Sequence, residues 1–177
     1  MSLTAREAWA LIHGMILGGA FLLAFTGGLL GLYSFAPELL TAQGIRDRLR
    51  QLVPGTWLMA IVAWLTVFTG TYTVYPWYRA VPPQGATDLT LFPKSFLVAN
   101  AALKAWHSFG MEWKEHVAWF APILATAVAY LIWKYAPTLV EDNRLRKICI
   151  TVFVTAFAAA AIAGLLGALI TKAAPIR

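Results

Sequence analysis

Apolar residues run along this chain in four long stretches, which are separated by segments rich in charge or proline. The stretches cover residues 8–33, 54–75, 115–136 and 145–171. A helix needs about 20 predominantly apolar residues to cross a bilayer, and Trp and Tyr, which favour the membrane interface, lie near the ends of these stretches. The pattern predicts an all-α integral membrane protein. Its four transmembrane helices would form an up-and-down bundle, with residues 1–177 as a single transmembrane domain.

Prolines set the expected limits of the helices. Pro54 stands where the first turn of the second helix would tolerate it, and Pro76, Pro82 and Pro83 are expected to stop that helix. Pro122 falls inside the third helix and is expected to kink it, because the carbonyl that it frees needs a local partner.

The connection between the second and third helices is long, and its second half has a helical period. Residues 96–109 carry polar side chains on one stripe and apolar side chains elsewhere. The stripe continues just past this segment and consists of Asn100, Lys104, His107 and Met111, while Phe96, Leu97, Leu103 and Trp106 supply the apolar surface. The pattern predicts an amphipathic helix that lies along the membrane interface before helix three.

Composition supports the membrane interpretation. Hydrophobic residues make up 60% and charged residues 12% of the chain, whereas soluble domains are about 45–50% apolar and about 25% charged. The net charge of +6 comes from short clusters beside apolar stretches, which fits anionic lipid headgroups of the bilayer. No run of basic and aromatic residues resembles a nucleic-acid surface, so no nucleic-acid partner is expected.

Cysteine usage and the N-terminal stretch exclude two further classes. Cys149 is the single cysteine, so no internal disulfide and no CxxCH attachment of a c-type haem is possible. The first apolar stretch exceeds the ~7–15 residues of a signal-peptide core, which predicts a retained helix.

Two compact basic clusters predict the orientation. Arg46, Arg48 and Arg50 lie in the first connection, and a second cluster follows residue 143 in the third. Such clusters favour the cytoplasmic side, which would place both termini and the middle connection outside. The chain resembles small multi-pass proteins of the bacterial inner membrane, and that location is expected.

Small residues crowd the first and fourth helices. The spacings Gly14-x-x-x-Gly18 and Gly27-x-x-x-Gly31 are typical of close helix packing, so Gly18→Leu and Gly164→Leu are expected to disturb the bundle. An alternative is that small side chains leave room for a flat cofactor. The face that suggests it consists of His13, Ala20, Ala24, Gly27 and Gly31.

Three histidines, His13, His107 and His116, are expected at one membrane surface. Helices one and three would stand diagonally across a bundle, so His13 and His116 are the predicted axial ligands of one haem b, with His107 in reserve. Arg79 would face the haem propionates, with Lys104 and Lys114 at the same surface.

The stretch Leu11-Ile12-His13-Gly14-Met15 resembles the haem-ligating helices of b-type membrane cytochromes, in which a small residue follows the histidine. The resemblance implies that His13 binds haem iron. Helices two and four contain no histidine, so the chain can supply one haem site at most.

Blander interpretations remain open for each histidine. His107 would be solvated on its polar stripe, His116 would pair with Glu112 one turn earlier, and His13 would form a hydrogen bond across the bundle. A metal site formed by His107 with Met111, Glu112, Glu115 and His116 has no established ligand spacing. No hydrolase or phosphate-binding motif is present, so the chain is not expected to be an enzyme on its own.

Three functions follow from these expectations. The first is electron transfer, as a small b-type cytochrome or an accessory subunit of a respiratory, quinone-linked complex. The second is a non-catalytic structural or assembly subunit that docks on other membrane subunits through its Gly and Ala faces. The third is a small channel or transporter, for which Thr66, Thr69, Thr71 and Thr73 are the only candidate polar groups in helix two.

Overall fold

Helices account for most of the chain. The computed structural model describes residues 3–35 and 40–174, which contain no β-strand. Four helices are long and apolar enough to cross a membrane, as predicted. Two short helices lie in the connections between them. In chain order they are α1 (Ala5–Tyr33), α2 (Ala42–Tyr78), α3 (Pro93–Ala99), α4 (Trp106–Lys134), α5 (Thr138–Glu141) and α6 (Asn143–Ala173).

The second helix is longer at both ends than the prolines predicted. It begins at Ala42, where Thr41 Oγ1 accepts a hydrogen bond of 3.1 Å from the Gly44 amide, so the polar first connection supplies its opening turns. Pro54 therefore lies in the helix interior, where it removes one backbone hydrogen bond. Pro76 does not stop α2, because it stands at the start of the final α-helical stretch, Tyr75–Tyr78.

The predicted amphipathic helix over 96–109 is wrong as a single element. α3 ends at Ala99, and Asn100 Oδ1 accepts a hydrogen bond of 3.0 Å from the Ala102 amide. Such Asx turns compete with helix geometry. The chain then enters α4 at Trp106 rather than near residue 115, so His107 belongs to the third long helix. Further along, a turn at 117–119 precedes Pro122, in line with the predicted irregularity.

Wide π-helical turns interrupt three of the long helices. They span Ile12–Leu17 in α1, Gly70–Val74 in α2 and Trp106–Met111 in α4. Each wide turn contains one glycine, respectively Gly14, Gly70 and Gly110. A π turn inserts an extra residue, shifts the side chains that follow it, and is frequent at functional sites.

The chain forms two compact units, and all three wide turns belong to the first, which is drawn from residues 1–18, 65–119 and 160–177. Tyr78, Leu97, Met111, Ile170 and Ala174 form a buried cluster within it. Leu97 is fully buried there. The short helix α3 is therefore anchored to the same unit by its apolar side.

The second unit, drawn from residues 19–64 and 120–159, has an aromatic core. Phe25 of α1 stacks on Phe157 and Phe153 of α6, with ring centroids 4.1 and 4.9 Å apart. Glycine makes this approach possible, because a Cβ on Gly28 would lie 2.7 Å from Phe153 Cζ. Trp64 Nε1 donates to Thr126 Oγ1 at 3.0 Å and so links α2 to α4.

The glycines that pack closely are not the pair expected at Gly14 and Gly18. Within the described part of the chain, a Cβ at Gly14, Gly18, Gly27 or Gly164 would meet no atom within 4 Å. The packing role predicted for Gly14, Gly18, Gly27 and Gly164 is therefore wrong inside this chain. Gly31 does pack closely, since a Cβ there would lie 2.9 Å from Leu52 Cδ1, so Leu52 occupies the Gly31 end of the face expected to stay open.

Two arginines cap the end of α1 in the second unit. Arg48 donates to the Ser34 carbonyl at 2.8 Å, and Arg146 donates to the Phe35 carbonyl. The last carbonyls of a helix lack partners inside it and carry partial negative charge. One residue from each basic cluster thus stabilises a helix terminus.

Candidate functional site

A cavity of about 60 Å³ lies within the first unit. The helices α1, α2, α4 and α6 all contribute to it, and each wide turn supplies one lining residue: His13, Val74 or Met111. The polar lining residues are His13, Tyr75, Tyr78, Lys114 and Thr171, and the others are Val74, Met111, Gly167, Ile170 and Ala174.

Hydrogen bonding defines the proton position on His13. Its Nδ1 lies 3.2 Å from Thr69 Oγ1, and the Thr69 hydroxyl donates to the Leu65 carbonyl at 2.7 Å. When the Thr69 hydroxyl donates to that carbonyl, Nδ1 is the donor to Thr69 Oγ1, and the lone pair of the neutral ring lies on Nε2. A Cβ on Gly70 would lie 2.7 Å from His13 Cε1, so glycine is needed beside the ring.

Lys114 brings a positive charge to the cavity. Its Nζ lies against Gly167, where an added methyl group would overlap the ammonium. Among the residues that the structure describes, no carboxylate forms a salt bridge with Lys114. Lys114 acts electrostatically on His13. A half-buried ammonium without a counter-ion is unfavourable, so this side chain is not explained by packing alone.

Two stacked tyrosines form another wall, with ring centroids 6.2 Å apart. Tyr78 Oη lies 3.0 Å from His107 Nδ1. The Tyr75 hydroxyl is buried and forms no hydrogen bond of standard geometry within the described part of the chain. Glu115 and Arg79 act on this hydroxyl through weak hydrogen bonding as well as through charge, with opposite signs, and the Arg79 guanidinium lies 5.3 Å from the centre of the Tyr75 ring.

The predicted site residues are only partly brought together. His13 lines the cavity, His107 contacts it through Tyr78, and Arg79 stacks on Tyr75. His116 is not among the lining residues, and its side chain is 71% exposed. Its Nδ1 donates to the Glu112 carbonyl at 2.9 Å and lies 3.6 Å from the Glu112 carboxylate, so the predicted pairing with Glu112 is confirmed.

The cavity beside His13 is the place where a haem would have to bind. The Nδ1–H bond to Thr69 and the lone pair on Nε2 suit an axial ligand. A cavity of about 60 Å³ holds about two water molecules at ~30 Å³ each, whereas sites for drug-sized ligands measure about 300–1,000 Å³. The residues around His13 therefore do not fit a porphyrin in this arrangement. No group of three or more His, Cys, Asp or Glu that could hold a metal exists among the described residues.

Sequence reasoning missed the residues that complete the site. A third helix that begins near residue 115, as predicted, would leave Lys114 in the connection that precedes it. Tyr75 and Thr171 carry no signal that could separate them from interfacial residues. The one available signal is the glycine in each wide turn, which stands beside His13, before Tyr75 and before Lys114 in the chain.

No family model, no curated protein and no solved structure matches this chain. Function therefore has to be inferred from the chemistry of the cavity and from its place within the helices.

Proposed function

We propose that the protein is a multi-pass membrane transporter that binds a small polar solute in the cavity of the first unit. The observation that carries the proposal is the position of Lys114. Its ammonium has no salt-bridge partner among the described residues, and the side chain lines the cavity. Lys114 belongs to α4, a helix long and apolar enough to cross a membrane. Ionisable residues in membrane-spanning helices are costly and usually serve function, and Lys114 stands in the part of α4 that precedes its most apolar residues.

Irregular helices around the cavity support the transporter class. Transporters commonly build their binding sites where helices are broken, since irregular backbone at membrane depth is tolerated where it lines a cavity. Three of the four long helices contain a wide turn that contributes a residue to this cavity. A structural subunit would need neither the wide turns nor the lysine.

A permanently open channel is less well supported than a transporter. A channel needs a polar path along its whole length, yet the second unit has an aromatic core. Thr56 is the single buried polar side chain there among the described residues. A transporter can enclose its solute at one site and open by rearrangement, so it needs no such continuous path.

The proposal includes an orientation. The four long helices would cross a bacterial inner membrane up and down, with the basic clusters at Arg46–Arg50 and Arg144–Lys147 on the cytoplasmic side. Both termini and the connection that contains α3 would then lie outside.

Swelling of proteoliposomes tests the transporter class across several solutes at once. Vesicles that contain the purified protein would be placed in isosmotic glycerol, or in isosmotic formate, nitrate, acetate or choline salts with an ionophore that carries the counter-ion. Light scattering would report solute entry. We expect entry of at least one solute, and loss of entry in Lys114→Met. Lys104→Met is the matched control, because Lys104 is exposed. Scattering identical to that of empty vesicles for all five solutes would favour the structural-subunit alternative.

The b-type cytochrome is the competing proposal and has a direct spectroscopic test. From the size of the cavity we expect protein expressed with ample haem to be colourless. A sharp reduced-minus-oxidised haem spectrum that disappears in His13→Ala would instead support electron transfer. It would also show that the cavity opens to admit a porphyrin.

A further inference from the structure

We propose that the solute is a small monovalent anion, bound between the Lys114 ammonium and the Tyr75 hydroxyl. This inference rests on the proposed solute site and adds the chemical class of the ligand. The lining contains one cationic side chain and no Asp or Glu. A ligand of one negative charge would therefore neutralise the cavity.

The unpartnered hydroxyl is an independent sign of a missing acceptor. Buried hydroxyl groups nearly always have a well-formed hydrogen bond, yet the buried Tyr75 Oη forms none of standard geometry among the described residues. Tyr75 and Lys114 both line the cavity, so one anion bound there could accept from the hydroxyl and from the ammonium. Thr171 adds a third hydroxyl to the lining.

The surrounding charges define the limits of this site. Glu115 and Arg79 both influence Tyr75 electrostatically, but neither lines the cavity. His13 Nδ1 lies 3.2 Å from Thr69 Oγ1, and Lys114 is the one permanently cationic side chain of the lining. One net positive charge favours a monovalent anion over a divalent one.

Size restricts the ligand further. The cavity volume of about 60 Å³ corresponds to about two water molecules at ~30 Å³ each. An ion such as chloride, nitrate or formate has this scale. The same chemistry would also accept the carboxylate of a fatty acid whose chain extends into lipid, so the two sources have to be separated by experiment.

Thermal unfolding in detergent provides the test, because a ligand that binds the folded state raises the unfolding temperature. Sodium formate, nitrate or chloride would replace sodium gluconate at constant ionic strength. We expect a saturable rise in the unfolding temperature of the wild-type protein and none in Lys114→Met. No rise for any of these anions, or for octanoate, would overturn the inference.

Gly167→Ala provides a subtler variant that should still fold. The added methyl group would displace only the flexible end of Lys114, and we expect anion binding to weaken by about tenfold or more, the loss typical of one charge-assisted hydrogen bond. Gly164→Ala is the matched control in α6, since a Cβ there meets no atom within 4 Å. Equal anion binding by both variants would show that the Lys114 ammonium does not bind the anion. Tyr75→Phe should weaken binding without changing the fold, because the hydroxyl forms no hydrogen bond of standard geometry among the described residues.

Octanoate distinguishes the two sources of the anion. Binding of formate that exceeds that of octanoate would assign a free small anion, and the reverse would assign the carboxylate of an amphiphile. The two experiments also distinguish failure of the anion-site proposal from failure of the transporter proposal. Anion binding without vesicle swelling would retain the anion site and refute transport. Swelling by glycerol or choline without anion binding would retain transport and refute the anion site.

Discussion

At the scale of single residues, neighbouring glycines in α1 have opposite environments. Gly28 is buried against Phe153, whereas a Cβ on Gly27 would meet no atom within 4 Å. A helical glycine is otherwise unfavourable by about 1 kcal/mol relative to alanine. Whether alanine at each position raises or lowers the stability should therefore depend on what its Cβ contacts.

We expect Gly28→Ala to destabilise the protein by about 1–3 kcal/mol, the usual effect of overpacking, because the new Cβ would lie 2.7 Å from Phe153 Cζ. Gly27→Ala should be neutral or slightly stabilising. Unfolding by SDS in mixed micelles measures both. A larger loss for Gly27→Ala than for Gly28→Ala would show that the packing of α1 against α6 is misassigned.

At the scale of elements, the short helix α3 and the termini of α1 show how connections contribute to stability. Leu97 of α3 is fully buried, while its neighbour Val98 is 42% exposed. Leu97 joins a cluster with Tyr78, Met111 and Ile170, which also line the cavity. The docking of α3 therefore supports the walls of the candidate site.

Leu97→Ala should destabilise the protein by about 2–5 kcal/mol, as large-to-small substitutions in cores do. Val98→Ala should change stability little, because its side chain already meets solvent or lipid. Thermal unfolding in detergent compares the two variants. If they prove equally stable, α3 is not anchored through Leu97.

Arg146→Ala is expected to cost about 1.5–3 kcal/mol, the range for a hydrogen bond that involves a charged group. The guanidinium donates to the Phe35 carbonyl and, at 3.0 Å, to Asn143 Oδ1, and both acceptors would lose their partner. Lys147→Ala is the control, since Lys147 is exposed in the next position. Equal stability of the two variants in the same unfolding assay would argue against a capping role.

At the scale of the whole molecule, four helices suit a membrane by length and composition, and the orientation is open to direct measurement. Single cysteines would replace Asp47, Asp88 and Asp142 in a Cys149→Ser background. From the proposed topology we expect an impermeant thiol reagent to label intact cells at position 88 only. Labelling at 47 or 142 but not at 88 would reverse the orientation, and labelling at all three would refute the up-and-down arrangement.

The long helices could be predicted from the chain because each depends on local properties. Runs of about 20 apolar residues need internally satisfied backbone groups in lipid, and a helix satisfies them within one segment. The errors lie at helix ends, where local chemistry competes. Pro54 and Pro76 are the predicted limits of a helix, yet α2 passes through both, and the turn at Asn100 divides the predicted amphipathic helix.

The candidate site was decided by tertiary structure. His13 could be singled out from its place in an apolar helix, but its partner Thr69 lies 56 residues away, and helical periodicity says nothing about contacts between helices. The wide turns shift the register of α1, α2 and α4, and only that shift, with the space left by Gly70 and Gly167, brings His13, Tyr75 and Lys114 to one cavity. The sequence by itself determined which segments suit a membrane, because the hydropathy of a segment depends only on the residues within it. Which polar groups meet depends on interhelical register, which only the packed structure determines.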